Sequence, residues 1–241
     1  MGKIYESFYL LLEQLKFMNA KYIDSKTYYI EDYIKFLEIY KDFVKILPSY
    51  VSFIILDIKR NIEEVTKYLD LKQNNIFKVL IEENNNHKLK YKPEEIEVPS
   101  ENVNFVSLYN KNIGNNSSII DQKKMMLHVP LIWSWRKFKF THSYLHNLFI
   151  SNIDCKKCAA LAYDESLNNS HNPHLSKFIH SFFIFAPNKL VVLNKISKLI
   201  YEQENILEDM DNLLEELNIF LENIYNFIIK NKILLNKYCR V

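Results

Sequence analysis

The sequence predicts an all-α fold, on three observations. The 241 residues include only 2 glycines and 6 prolines, so turns are few and long helices are favoured over many short strands. Apolar residues recur at helical spacing along almost the whole chain. Hydrophobic residues make up 48% and aromatics 14%, in a chain long enough to bury a sizeable core. Asn, Lys, Ile, Tyr and Phe dominate, as in an A/T-rich coding genome, so part of the composition reflects codon usage.

The elements follow in order. Phe8, Leu11, Leu12 and Leu15 mark a first helical stripe, and Tyr33, Ile34, Leu37 and Tyr40 a second. Pro48 and Ser49 open a third helix expected to run to about Asp70. Ile76, Val79 and Leu80 mark a short fourth. From about 84 to 118 the pattern stops: Asn, Lys, Glu and Ser dominate, with Pro93 and Pro99. This segment reads as a disordered surface insertion within one domain spanning 1–241. Helicity resumes near Ile119. Pro130 either kinks that helix or sits in its first turn. The stretch from Leu131 to Ile150 is strongly apolar and aromatic. Further helices are expected at about 155–168, 173–186, 188–203 and 206–235. No internal repeat and no phosphate-loop glycine pattern is present.

Several function classes are disfavoured. A net charge of +2 is too balanced for a nucleic-acid binder. No apolar run reaches the ~18 residues of a bilayer span. The N-terminus carries Gly2 but has Glu6 where a myristoylation signal wants Ser or Thr, and no signal peptide is visible. A cytoplasmic location is expected. Three cysteines fit a reducing compartment. Cys155 and Cys158 form a lone Cys-Lys-Lys-Cys without further ligands at matching spacing, so two ordinary thiols at a helix end are expected rather than a metal site. His142 and His146 are helix neighbours but lack the adjacent Glu of a zinc-protease helix.

Three constellations remain. Asp57 and Asn61 stand one helical turn apart, on one face, where an apolar helix turns polar. A carboxylate acceptor beside a donor–acceptor amide suits paired sugar hydroxyls. A solvated helix face is the plainer alternative. Trp133 follows an apolar Val-Pro-Leu-Ile, with Arg136 one turn on. Tryptophan is a flat platform for a sugar ring, although a tryptophan on an apolar helix is more often core. Trp135, close by, is expected within reach of a membrane. His171 precedes Asn172-Pro173-His174 and an apolar run ending at Pro187, and an ordinary surface or core histidine is the default there.

In order and spacing, these motifs resemble the glycolipid transfer protein family. The resemblance runs from Phe36-Leu37-Glu38 through Asp57-x-x-x-Asn61. It resumes at Leu131-Ile132-Trp133-x-x-Arg136, similar to the family's Leu-Met-Trp-x-x-Arg helix. His171 stands sixteen residues before Pro187, as the family histidine stands before its own Ala-Pro pair. The ending, Tyr238-Cys239-Arg240-Val241, is similar to a family C-terminus of Tyr-x-Val. The match covers about residues 30–241, leaving 84–118 unmatched.

The resemblance implies a two-layer all-α lipid-carrier fold. It implies a sphingolipid ligand, most naturally a glycosphingolipid, whose ceramide chains enter an apolar pocket. Asp57 and Asn61 would bind sugar hydroxyls and the ceramide amide N–H. Trp133 would stack on the sugar, Arg136 would complete the headgroup set, and His171 would donate to the amide carbonyl. No catalysis, cofactor or metal is implied. A monomer touching membranes transiently is expected. The departures are Glu64 where some members carry Lys, leaving Lys67 as the nearest cation on that face, and Pro173-His174 where the family often has a membrane-docking Trp. An alternative register would put Asn172 at the histidine position. The ceramide-1-phosphate branch replaces the Asn with Lys and adds an Arg. Asn61 and Trp133 favour the sugar branch, while Arg136 with Lys139 keeps the phosphate branch open. A lipid-sensing adaptor that binds without transferring is a further alternative.

Overall fold

In the computed structural model, residues 2–69, 74–90, 127–200 and 206–231 are described. They form nine α-helices: α1 (Gly2–Ser25), α2 (Ile30–Val44), α3 (Ile54–Thr66), α4 (Ile76–Lys90), α5 (His128–Ile150), α6 (Cys155–Ser166), α7 (Pro173–Phe183), α8 (Lys189–Ile200) and α9 (Ile206–Lys230). Among the described residues, no helix is long and apolar enough to cross a membrane.

Local chemistry explains the boundaries. α1 ends at Lys26, whose φ of 54° is the left-handed geometry that usually calls for glycine. The α1–α2 and α3–α4 connections clasp each other. Ile30 donates its N–H to the Asn74 carbonyl and Ile76 to the Tyr28 carbonyl, both at 2.9 Å. Asp154 caps α6 by accepting from the Lys157 N–H at 2.7 Å. Asn172 caps α7 by accepting from the Leu175 N–H at 2.8 Å, with Pro173 in the first turn, where its missing N–H costs nothing.

Two boundaries differ from expectation. The third helix is not continuous from Pro48. A 3₁₀ turn, Ser49–Val51, comes first, and α3 starts only at Ile54. The Ser52 hydroxyl donates to the Ser49 carbonyl at 2.7 Å, a local bond that competes with helix continuation. The fourth helix is longer than expected and runs through 84–90 to Lys90. Asn84 is buried, so the surface insertion cannot begin there. Polar composition misled because one turn of that helix packs against the protein. The Glu83 carboxylate accepts from the Tyr68 hydroxyl at 2.7 Å and from the Leu127 N–H at 3.0 Å. The rest of the insertion, the helix expected near Ile119 and the C-terminal Tyr-x-x-Val lie outside the described residues. Pro130 lies in the first turn of α5, so it starts that helix rather than kinking it.

α5 is the organising helix. Buried residues occur on every face of it, as in a helix surrounded by others. It packs against α3, α6 and α9, while α1 packs against α2 and α9. An aromatic cluster joins α2, α5 and α9: Phe36–Phe138 at 5.0 Å, Tyr40–Phe138 at 4.7 Å and Phe36–Phe220 at 4.9 Å between ring centres. These edge-on and tilted contacts suit the ring quadrupole. The buried apolar side chains form one cluster that draws on α1 at Phe8 and α9 at Ile228.

Candidate functional site

Polar groups fix the register of α5 before any site is considered. The Tyr40 hydroxyl on α2 donates to the Lys137 carbonyl at 3.0 Å and lies 2.6 Å from the Thr141 hydroxyl. The Trp135 indole N–H donates to the Leu221 carbonyl on α9 at 3.0 Å. Trp135 is therefore buried, not within reach of a membrane as expected. On the third side, Asn61 of α3 donates its amide to the Ser134 hydroxyl at 2.8 Å.

That register leaves Trp133, Arg136 and Lys137 grouped together. Trp133 is half-buried. The Arg136 guanidinium lies 5.0 Å from the Trp133 ring centre and the Lys137 ammonium 5.8 Å from it, both within cation–π range. Asp57, one turn before Asn61, sits 3.7 Å from the Lys137 ammonium, with side-chain exposures of 56% for Asp57 and 2% for Lys137. His171 occupies an extended link between a 3₁₀ turn at Asn168–Ser170 and the α7 cap. Its imidazole stacks with Trp133 at 5.6 Å and 19°. Its Nδ1 lies 2.7 Å from the Tyr163 hydroxyl of α6.

Burial sets the protonation states. It pushes the Lys137 pKa down to about 8, opposed by the Asp57 carboxylate and reinforced by Arg136 and Arg60. It pushes His171 down to about 4, again opposed by Asp57 and reinforced by Lys137 and Arg136. At neutral pH the imidazole is neutral, with one N–H to donate. Burial raises the Tyr163 phenol, which keeps that hydroxyl protonated.

The five residues singled out by sequence thus meet in one place: Asp57 and Asn61 from α3, Trp133 and Arg136 from α5, and His171 from the α6–α7 link. Asn172 serves as the α7 cap, and it is His171 that stacks on Trp133. Lys139 does not join the cluster. Its ammonium lies over the Trp135 ring at 5.3 Å. Lys67 pairs with Glu64 at 2.7 Å. Sequence reasoning missed Lys137, Ser134 and Tyr163. Lys137 was detectable in principle, since it stands one helical turn after Trp133 and so shares its face.

Elsewhere, His142 and His146 present near-parallel rings 6.2 Å apart. No group of three or more metal-ligating side chains occurs among the described residues. Cys155 and Cys158 are buried in the first turn of α6. Burial raises both thiols, Cys158 to about 11, so both stay protonated and unreactive.

The family model for glycolipid transfer protein matches residues 28–198. The chain belongs to the glycolipid transfer protein family. The matched span contains every member of the Asp57–Asn61–Trp133–Arg136–His171 cluster. No curated protein sequence matches the chain. Among solved structures, mouse ceramide-1-phosphate transfer protein in its apo form is similar, with a TM-score of 0.64 at 15% identity over 93% of this chain and 94% of that one. HET-C2, a fungal glycolipid transfer protein, gives 0.59 at 14% identity over 84% and 86%. An Arabidopsis accelerated-cell-death 11 variant complexed with C12 ceramide-1-phosphate gives 0.65 at 8% identity over 96% and 98%. At these identities the likeness concerns the fold, which is the two-layer all-α lipid-carrier fold of the family.

Proposed function

We propose that this protein binds one sphingolipid and carries it between membranes, with the headgroup held by the α3–α5–His171 cluster. The observation that carries this reading is the meeting of an exposed acceptor carboxylate, Asp57, with a half-buried tryptophan and a neutral imidazole. A sugar needs hydroxyl acceptors and an apolar face to rest on. Asp57 accepts from sugar hydroxyls and from the ceramide amide N–H. Asn61 adds its carbonyl oxygen, since its amide N–H is committed to Ser134. Trp133 supplies the platform, and Arg136 donates to headgroup oxygens. With His171 Nδ1 as the acceptor in its 2.7 Å contact with the Tyr163 hydroxyl, Nε2–H is left for the ceramide carbonyl. Tyr163 is therefore a positioning residue. Carriage makes and breaks no bond, so no nucleophile, cofactor or metal is invoked.

The membrane-facing surface in this reading is α7 and its continuation. Phe178 is 59% exposed and Phe185 79%, with Phe182, Ile184, Leu190 and Val191 also exposed. Contiguous exposed apolar side chains mark interaction surfaces. α7 begins two residues after His171, which places the headgroup cluster beside the docking face. A monomer working at the cytoplasmic surface of membranes completes the reading.

One observation favours a second headgroup. The buried cation Lys137, beside Arg136, suits a phosphate as in ceramide-1-phosphate. Transfer of fluorescent galactosylceramide between phosphatidylcholine vesicles tests the main reading. Wild-type protein is expected to accelerate transfer, and Asp57→Val to lose most of the acceleration while melting normally. Transfer undiminished in Asp57→Val would remove the headgroup assignment. Uptake without delivery to acceptor vesicles would indicate an adaptor rather than a carrier.

A further inference from the structure

Lipid carriage makes no use of His142 and His146. They stand one helical turn apart on α5 and share a face, with ring centres 6.2 Å apart and planes 19° from parallel. His142 is half-buried and His146 exposed. Other histidines have carboxylate neighbours: His180 lies 3.0 Å from Asp164 and His128 3.8 Å from Glu83. Among the described residues, no such ion pair involves His142 or His146. Two imidazoles that would repel each other when protonated are thus placed side by side, with no carboxylate bonded to either.

The surroundings prepare His142 as a neutral ligand rather than as a cation. Burial and the neighbouring His146 hold its pKa below the ordinary histidine value, opposed by a hydrogen bond to the Leu214 backbone on α9 and by the Glu165 carboxylate. A neutral ring that gives its N–H to a backbone carbonyl keeps the other nitrogen as a lone pair, the arrangement that fixes the tautomer of metal-ligating histidines. Glu165, which accepts from the Ser143 hydroxyl at 2.6 Å, adds negative charge nearby. His171, in contrast, feels Lys137 and Arg136. Histidines at i and i+4 are also the pair that grips zinc in a zinc-protease helix, where the adjacent Glu serves as general base and not as a ligand. Its absence here removes protease chemistry and leaves ligation intact. We propose that His142 and His146 form a reversible binding site for a borderline divalent cation, zinc(II), with water completing the coordination. Rotation of the exposed His146 ring brings the second nitrogen to the ion. Two protein ligands fall short of the four of a structural zinc site, so the ion exchanges. His142 stands about two and a half turns beyond Trp133 along α5, on the face opposite the headgroup cluster, so this site is independent of the carrier reading.

Calorimetric titration of the full chain with zinc chloride tests this. Wild type is expected to bind zinc(II) saturably and to give no binding heat with magnesium chloride, whose ion prefers oxygen ligands. Copper(II) chloride should bind more tightly than zinc chloride, in the usual order for such ligands. His146→Gln changes an exposed side chain and should fold normally. It is expected to weaken zinc binding by at least about tenfold, since losing even an outer-shell partner of a metal site costs roughly 10–100-fold. His174→Gln, at an exposed histidine on α7, should leave zinc affinity unchanged. A wild-type chain without saturable zinc binding would overturn the proposal. So would undiminished binding by folded His146→Gln, an equal loss in His174→Gln, or magnesium binding as tightly as zinc.

Discussion

Trp133 combines packing and recognition, and a substitution separates them. Part of its indole packs against the core, while His171 stacks on it and Arg136 lies nearby. A fully buried tryptophan cut to alanine costs roughly 3–5 kcal/mol. Trp133 is half-buried, so Trp133→Ala is expected to cost only about 1–2 kcal/mol while reducing glycolipid uptake sharply. Trp133→Phe should restore part of the uptake. A large stability loss with normal uptake by the folded fraction would make Trp133 a core residue only. Lys137 gives a second prediction. Its folded pKa, about 8, lies below its ordinary 10.5, so the unfolded chain holds more protons between those values. Stability therefore rises with pH across that window. His171, at about 4 against 6.5, makes stability fall as pH drops from 6.5 towards 4. The buried thiols and phenols, whose pKa values burial raises, pull the other way as pH climbs, so the test is a difference: from pH 7 to 10.5 the urea midpoint should rise more, or fall less, in wild type than in Lys137→Met. At pH 7 that variant should be more stable by about 1–3 kcal/mol, because an apolar side chain of similar volume replaces a poorly paired buried charge. The sequence displayed Asp57, Asn61, Trp133, Arg136 and His171 because type and spacing sufficed. Its spacing from Trp133 placed Lys137 on the same face, but a lysine reads as solvated until packing around α5 shows that it is not.

At the scale of elements, helix identity was legible and helix ends were not. Periodicity marks the buried faces of α1, α2 and α9, since each apolar stripe must meet a neighbour. The break before α3 depends on the Ser52 bond to the Ser49 carbonyl, which periodicity does not encode. The extension of α4 to Lys90 depends on contacts around Glu83 with residues far along the chain. The end of α1 offers a clean test. Lys26→Gly relieves a left-handed residue and is expected to stabilise the protein by about 0.5–1 kcal/mol. A lowered denaturation midpoint would show that the Lys26 side chain holds that turn. On α7, the paired change Phe178→Ser and Phe182→Ser removes an edge-to-face aromatic pair at 4.9 Å from an exposed face. It should weaken sedimentation with vesicles several-fold and leave the melting temperature nearly unchanged, because little buried area is lost. Unaltered vesicle binding would move the docking surface elsewhere.

At the scale of the whole molecule, α5 explains why the cluster forms where it does. Tyr40, Trp135 and Ser134 tie it to α2, α9 and α3, and Tyr163 brings the His171 link onto it. The order of motifs along the chain was enough to suggest the family, because Asp57 and Asn61 on α3 and His171 on the α6–α7 link are both brought to Trp133 and Arg136 on α5. The polar stretch after α4 is proposed to lie outside this arrangement. Replacing residues 92–116 with a short Gly-Ser linker should leave both melting temperature and lipid uptake largely unchanged, since its composition buries little apolar surface. The headgroup was the least legible feature, because it depends on which charges are dry. The most direct test of the central claim is native mass spectrometry after incubation with a mixed-lipid extract. The expected result is one sphingolipid bound per chain, lost or exchanged for another lipid class in Asp57→Val. A chain that emerges empty, or holds a glycerophospholipid indifferent to Asp57→Val, would contradict it.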